Sequence, residues 1–263
     1  MEIVKIRRRR INEIVGDITC NTKGTRMKII SERSKNDFDV EFLDEYHYVK
    51  EHCSGQNWET GQIKNPYDKT VFGFGYIGDG KYKTRVGSKH TTEYCSWQDI
   101  IERCYVKERK ELHPSYYGIS ECCLLWHNYQ IFADWYNKHK YDIGERLHVD
   151  KDMKFPGNKI YSPKHCIILP QSLNAMVINK PNSRGLPNGI LYEKGKYVSI
   201  YNHDELGRFD NLYDAFNVRA RAKEYAIKQK ANELKDVIPD EVYQAVMKYK
   251  VLIENDKNYI KVS

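Results

Sequence analysis

The sequence predicts an α+β protein. It has a small β-rich N-terminal unit, a helical segment that leads into a β-hairpin and helix, and a C-terminal three-stranded sheet with a long helix. Three observations support this fold class. Short β-branched and aromatic segments separated by polar turns lie within residues 1–70. Apolar residues at helical spacing dominate residues 93–140. Short strand patterns return after residue 140, and a long amphipathic stretch begins at Leu212.

These patterns predict three domains, at residues 1–70, 71–183 and 184–263. A length of 263 residues accommodates about two domains and a third small one. No stretch approaches the roughly 18 uninterrupted apolar residues of a membrane helix. The opening residues "MEIVKIRRRR" lack the apolar core of a secretory signal. We therefore expect a cytoplasmic protein without a membrane partner.

In the N-terminal unit, "RMKIISERS" and "FDVEFLDEYHYV" predict two strands separated by the turn "KND". The segment "VFGFGYIGDG" at 71–80 then contains a GxGxxG pattern, which in a dinucleotide site needs a helix that begins at the third glycine. The residues that follow, "DGKYKTRVGSKHTT", predict a turn and a strand instead. We interpret the pattern as a glycine-rich linker or hairpin.

Two helices are predicted between residues 93 and 140. The first, "EYCSWQDIIERCYVKERK", places four apolar residues on one face. The second, "ECCLLWHNYQIFADWYNKHK", places a stripe of four more beside Cys122, Trp126 and Ala133. The expected core positions are Trp97, Ile100, Ile101, Cys104, Leu125, Tyr129, Phe132 and Tyr136.

The C-terminal region predicts three short strands, with Gly195 in a tight turn, and then a long helix over "LYDAFNVRARAKEYAIKQKANEL". The expected inward positions of this helix are Ala215, Val218, Ala222 and Tyr225, with a Lys/Arg-rich outer face. A further helix is expected in "VIPDEVYQAVMKYKVLI", with Pro239 near its start.

The charge and the cysteine content limit the kinds of partner and metal site that the chain can have. The formal net charge of +7 permits a polyanionic partner such as nucleic acid. Interleaved aromatic and basic residues, including 21 tyrosines, suit stacking on bases as well as core packing. The run Arg7–Arg10 predicts phosphate contacts, or alternatively a solvated basic strand edge. Seven cysteines without a CxxC pair predict reduced, mostly buried thiols rather than a zinc site.

The segment "HVDKDMKFPGNKIYSPKHCIILPQSLN" at 148–174 is the candidate for a catalytic site. We predict a strand over "LHVDKD", a turn over "GNKIYSP", a second strand over "KHCIIL" and a helix over "PQSLNAMVIN". A ββα-metal nuclease site uses such a hairpin and helix to bring metal ligands and a general base together. The predicted ligands are Asp150 and Asn174, followed by Asp152 and Asn158. Oxygen ligands of this kind suit Mg²⁺ or Mn²⁺.

The general base is less well defined. His148 lies two residues before Asp150, so both side chains share a strand face, and His165 is predicted on the second strand. Lys151 occupies the position directly after the aspartate, where the base normally lies. An ordinary lysine, with a pKa of about 10.4, accepts no proton at neutral pH. We therefore expect Lys151 to pair with a phosphate or with the neighbouring carboxylates.

A structural alternative remains open for the same segment. In that alternative Asp150 and Asp152 cap turns, and Asn158 and Asn174 satisfy local backbone groups.

The order of these motifs resembles the phage-borne HNH homing-endonuclease-like family. The matching residues are Trp97, Arg103, Cys104, Tyr117, Gly118, Trp126, Phe132, Asp150, Asn158, Tyr161, Pro163, Cys166 and Asn174. The region after about residue 185 is similar to the ethylene-response-factor type DNA-binding domain, through Gly189, Gly195, Tyr197, Gly207, Phe209 and Ala215. The resemblance covers about residues 90–263 and implies DNA binding, with metal-dependent cleavage in a bacterial host cell. The base histidine of ordinary HNH sites is absent at its expected place, directly after Asp150.

Three functions follow from the sequence. The first is a metal-dependent DNA endonuclease in which Asp150 and Asn174 hold the ion and His148 or His165 activates water. The second is a non-catalytic DNA-binding regulator. The third is a mobile-element inhibitor of a host defence complex that acts by protein–protein contact. The predicted DNA contacts of the C-terminal module are Lys194, Lys196, Arg208, Arg219 and Arg221.

Overall fold

The computed structural model describes residues 13–34, 36–109 and 117–259. The predicted phosphate contacts Arg7, Arg8, Arg9 and Arg10 lie outside these ranges. The described chain mixes helices and strands in several small sheets, which confirms the α+β class. It forms two compact units. The first contains the described residues up to Lys83 together with His127–Ile131, and the second contains the remainder. The domain boundaries proposed at residues 70 and 183 stay predictions.

The first unit is built on a four-stranded antiparallel sheet in the order β1-β2-β3-β4. Both strands predicted here are confirmed, although the second ends at Phe42 because a turn separates it from the next strand. The buried side chains of the sheet and α1 form one core that includes Trp58, whose ring meets Phe38 edge-on at 6.1 Å. The elements are β1 (Ile18–Cys20), β2 (Arg26–Ser34), β3 (Asp37–Phe42), β4 (Val49–Cys53) and α1 (Gly55–Glu59).

The glycine pattern at 71–80 forms a turn and not a helix N-terminus. An antiparallel bridge joins Val71 to Gly75, and Gly73 and Gly78 have positive φ angles of 77° and 74°. The next helix begins at Thr92. The interpretation as a hairpin is confirmed.

The second unit contains the remaining elements, with one helix, α3, that begins within the first unit. Their bounds are β5 (Arg85–Val86), β6 (Lys89–His90), α2 (Thr92–Tyr105), β7 (Glu121–Cys122), α3 (Tyr129–His139), β8 (Leu147–Asp150), β9 (Ile160–Tyr161), β10 (Ile167–Pro170), α4 (Gln171–Val177), β11 (Ile190–Glu193), β12 (Lys196–Tyr201), β13 (Asp204–Phe209), α5 (Leu212–Glu233) and α6 (Asp240–Lys248). Pro239 is the N-cap of α6, as the sequence predicts.

The predicted inner face of α2 is confirmed, since all four of its expected core residues are buried. On the next segment, Tyr129, Phe132 and Tyr136 are buried, but the prediction for Leu125 is wrong because its side chain is 60% exposed. Residues Leu124–His127 form a 3-10 helix, so the α-helical period does not extend back to Leu125. Three tryptophans, Trp97, Trp126 and Trp135, are buried in this unit.

The predicted hairpin and helix are present as β8, β10 and α4. Strand β8 pairs antiparallel with β10, so that Asp150 lies opposite Ile167 and Leu147 lies opposite Pro170. Part of the predicted turn forms β9, which pairs in parallel with β7. The placement of His165 on the second strand is wrong. The strand begins at Ile167, and His165 lies in the preceding turn, where its backbone N–H donates to Ser162 Oγ.

Helices α5 and α6 pack on this hairpin and helix through a single core, called the shared core here. Its buried members are Met153, Ile167, Leu169, Leu173, Ile227, Ala231, Ile238, Val242 and Val246. Four inward positions were expected on α5. Ala215 is buried, which confirms that prediction. The prediction for Tyr225 is wrong, because this residue is 67% exposed. The inner stripe instead runs through Phe216, Ala220, Lys223, Ile227 and Ala231. Because one member of this stripe is a lysine, the apolar periodicity of the sequence does not reveal the buried face of α5.

All seven cysteines are free thiols, and four of them are buried, as predicted. Burial raises the pKa of Cys104 to about 12 and raises the pKa of Cys122 and Cys166 as well. Within the described residues, no helix combines the length and the apolar character needed to cross a membrane.

Replacement of Ile227 by alanine tests the shared core. The Ile227 side chain is fully buried, so Ile227→Ala should lower the free energy of unfolding by about 2–5 kcal/mol. The matched change Tyr225→Ala, on the exposed side of the same helix, should alter it by only about 0.5 kcal/mol. Urea denaturation measures both. Equal effects would contradict the assignment of the inner stripe.

Candidate functional site

The candidate site is the loop that leaves β8 at Asp150. Asp150 Oδ1 accepts hydrogen bonds from the backbone N–H groups of Asp152 at 2.9 Å and Met153 at 2.6 Å. These two bonds close a tight turn directly after the strand, as aspartate side chains commonly do. Within the described part of the chain, Asp150 Oδ2 accepts no hydrogen bond.

The Asp150 side chain is half-buried. Burial, and after it the charge of Asp152, raises the pKa of Asp150 to about 6. The two backbone hydrogen bonds and the nearby Lys151 charge act in the opposite direction. Because burial outweighs these contacts, the ionised carboxylate is destabilised in this position at neutral pH.

Lys151 points into the same loop. Its side chain is buried, and Nζ donates to Asp152 Oδ2 at 2.8 Å and to the backbone carbonyl of Asn158 at 2.7 Å. The expected pairing with a neighbouring carboxylate is therefore present. The ammonium group joins the two ends of the loop, directly after Asp150, at the position where the sequence alone led us to expect a base.

Asn158 holds the other end of the loop. Its Nδ2 donates to the carbonyls of Lys151 at 2.9 Å and Ile160 at 2.8 Å, and its Oδ1 accepts from Ile160 N at 3.2 Å. A metal ion could use the Oδ1 atom only in competition with that backbone hydrogen bond. Asp150 thus caps a turn and Asn158 satisfies local backbone groups, as in the structural alternative to a metal site.

The two candidate base histidines have different surroundings. The pKa of His148 is lowered, mainly by burial and then by the charge of Arg146. A hydrogen bond with Gln171 opposes this shift without cancelling it. His165 Nδ1 lies 2.7 Å from Ser162 Oγ, and its ring meets Phe155 edge-on at 5.4 Å. His148 shares a strand with Asp150, whereas His165 belongs to the turn before β10.

Asn174 lies on α4 and is half-buried, and no hydrogen bond engages its side chain within the described residues. In the same ranges, no group of three His, Cys, Asp or Glu side chains is arranged to hold a metal ion. Mg²⁺ and Mn²⁺ also bind amide and carbonyl oxygens. The metal roles of Asp150, Asp152, Asn158 and Asn174 therefore stay predictions.

The basic residues of the C-terminal module differ in availability. Lys196 pairs with Asp210, and Arg208 pairs with Glu205 at 2.9 Å and with Glu193 at 3.7 Å. Arg219 is half-buried, and burial lowers its pKa. Lys194 and Arg221 are exposed. Of the predicted DNA contacts in this module, these two are exposed and make no salt bridge within the described residues.

A further basic element, which we call the basic hairpin, comprises Thr84–Thr91. Arg85, Lys89 and His90 are all exposed on it. Arg85 donates to the carbonyl of Ser88 at 3.2 Å, and its Nη2 lies 2.8 Å from His90 Nε2. The His90 ring stacks at 4.7 Å on Tyr94 of α2, which fixes the hairpin to that helix.

This hairpin is not among the predicted DNA contacts, although the sequence carries a signal for it. Residues 80–92 contain four lysines and arginines and no aspartate or glutamate. A basic run of this kind is the usual electrostatic signature of a polyanion-binding surface.

Comparison of the chain with protein-family models, with curated proteins and with solved structures finds no match.

The pKa of Asp150 gives a test of its surroundings. The folded value of about 6 exceeds the ordinary value of 3.8, so the folded state holds the proton more tightly. This group's contribution to stability therefore falls as pH rises from about 4 to about 6. Asp150→Asn mimics the protonated form and keeps an acceptor oxygen. We expect it to match the wild type near pH 4 and to exceed it by about 1–3 kcal/mol above pH 7.

The comparison is made by urea denaturation across this pH range in a buffer that contains a chelator. Asp236→Asn, on an exposed position, is the matched control and should show no such pH-dependent gain. A loss of stability in Asp150→Asn at pH 7.5 would show that the ionised carboxylate is stabilised by its contacts.

Proposed function

We propose that this chain is a DNA-binding protein of phage or mobile-element type that acts by binding DNA rather than by cleaving it. In this proposal the protein is built from an HNH-like hairpin and helix and an ethylene-response-factor-like module. The net charge of +7 and the order of elements, three antiparallel strands followed by a long helix, support it.

The observation that favours binding over cleavage is the position of Lys151. Hydrolysis at such a site needs a group that accepts a proton from water near the metal ion. Lys151 stands at that position, and its ammonium group is engaged by Asp152 and by the Asn158 carbonyl. A lysine held in this way joins the two ends of the loop and offers a nearby water molecule a donor and not an acceptor.

The DNA-contacting surface in this proposal includes the basic hairpin. Arg85 and Lys89 are exposed and make no salt bridge with a carboxylate in the described part of the chain. Cations available in this way neutralise phosphates and release counterions, which is the main source of affinity for duplex DNA. Lys194 and Arg221 on the C-terminal module are additional contacts.

The double variant Arg85→Gln/Lys89→Gln tests this surface. Removal of two phosphate contacts should weaken duplex binding and reduce the slope of log affinity against log salt by about 1.8. Fluorescence anisotropy with a labelled duplex at several salt concentrations measures both quantities. The control Lys180→Gln/Lys248→Gln removes the same charge from other exposed positions. If the control weakens binding equally, the basic hairpin is not a specific contact surface.

A second candidate function is metal-dependent cleavage with Mg²⁺ or Mn²⁺. Two observations favour it. Asp150 keeps one carboxylate oxygen without a hydrogen bond, and no hydrogen bond engages the Asn174 amide within the described residues. In this candidate function Asp150 and Asn174 hold the ion with Asp152 or Asn158, and His148 or His165 activates water.

A plasmid assay separates the two functions. We expect purified protein with supercoiled plasmid and Mn²⁺ to bind the DNA and leave it intact, because no base is positioned in the loop. Nicking by the wild type that disappears in Asp150→Ala would establish the second function instead. Asp236→Ala is the control for a contaminating nuclease, since it should not change any nicking activity.

A further inference from the structure

Helix α5 carries two cations that face inward without a partner of opposite charge. Lys223 is buried, with 8% of its surface exposed, and no hydrogen bond or salt bridge engages its ammonium group within the described residues. Arg219 lies one helical turn earlier, and its Nε is buried without a hydrogen-bond partner. Two like charges at this spacing repel each other.

One carboxylate lies near this pair. The charge of Asp256 acts on both cations. The Asp256 oxygens, however, accept hydrogen bonds from Asn188 N at 3.1 Å, Asn258 N at 2.9 Å and Asn258 Nδ2 at 3.1 Å. No salt bridge joins Asp256 to Lys223 or Arg219 in the described part of the chain. Its charge therefore balances only one of the two cations, and at a distance.

The surroundings hold Arg219 in a defined position. A β-carbon at Gly189 would lie 2.1 Å from Arg219 Nε and 2.5 Å from the Ile200 carbonyl. Only glycine therefore fits at residue 189 while the arginine keeps its position. The arginine is half-buried, so part of it remains accessible to solvent. Tyr201 is the other titratable group near the guanidinium, and its raised pKa leaves the phenol uncharged at neutral pH.

A cation withdrawn from water without a counter-charge is destabilised, and here the buried Lys223 lies one helical turn from the half-buried Arg219. An oxyanion would resolve this imbalance, since arginine and lysine both donate charge-assisted hydrogen bonds to phosphate oxygens. We propose that Arg219 and Lys223 form a binding site for a phosphate-type oxyanion. This site does not rest on the proposed function, because a phosphate can come from a nucleic-acid backbone or from a small phosphorylated compound.

The test uses the full-length protein and inorganic phosphate as the probe. Thermal unfolding is followed while phosphate replaces chloride at constant ionic strength. We expect a rise in Tm that saturates with phosphate concentration, because the ligand binds the folded state. A Tm that responds no more to phosphate than to chloride would overturn the proposal.

Two variants locate the effect. Lys223→Met should lose the phosphate response. It should keep or raise the Tm in chloride, because it replaces a buried charged side chain by an apolar side chain of similar volume. Arg219→Gln should weaken the apparent affinity for phosphate by about tenfold or more. The control Lys235→Gln, exposed just after the end of the same helix, should respond like the wild type. An unchanged response in Lys223→Met, or an equal loss in Lys235→Gln, would refute the site.

A labelled duplex then distinguishes the two sources of phosphate. If the natural ligand is the nucleic-acid backbone, Lys223→Met weakens duplex binding and phosphate competes with the duplex. If it is a small phosphorylated compound, duplex binding is unchanged and phosphate still stabilises the protein. Both outcomes keep the site, and failure of duplex binding alone would affect only the proposed function.

Discussion

The second unit depends on the packing of α5 and α6 against the hairpin and helix. Ile167, Leu169 and Leu173 from the hairpin and helix meet Ile227 and Val246 from the two C-terminal helices in the shared core. A fully buried aliphatic side chain of this size contributes about 1.5–3 kcal/mol. The loop after β8 and the cation pair on α5 both belong to elements that this core fixes, so their geometry follows from it.

The parts of the fold governed by local periodicity could be predicted from the sequence. Strand β2 and the inner face of α2 depend on residues close together in the chain, and both are confirmed. The prediction failed where tertiary contacts decide the outcome. Leu125 is exposed because a 3-10 helix interrupts the period, and Tyr225 is exposed because a lysine takes the inward position.

The candidate site shows a similar division. Its backbone arrangement, a strand pair followed by a short helix, was predictable, because strand and helix signals alternate clearly there. The bonding of each side chain was not. Whether Asp150 faces a metal ion or its own backbone depends on the turn geometry after residue 150, and the fixed ammonium group of Lys151 depends on Asn158 seven residues later. Sequence spacing does not encode these contacts.

The tryptophans are divided unequally between the two units. Trp58 is the tryptophan of the first unit, in contact with Phe38, and the remaining three lie in the second. Buried indole rings change their emission when water reaches them. A Trp58→Phe protein would therefore emit from the second unit alone, and the difference from the parent would report on the first. Intrinsic fluorescence can thus follow each half of the molecule separately without an added dye.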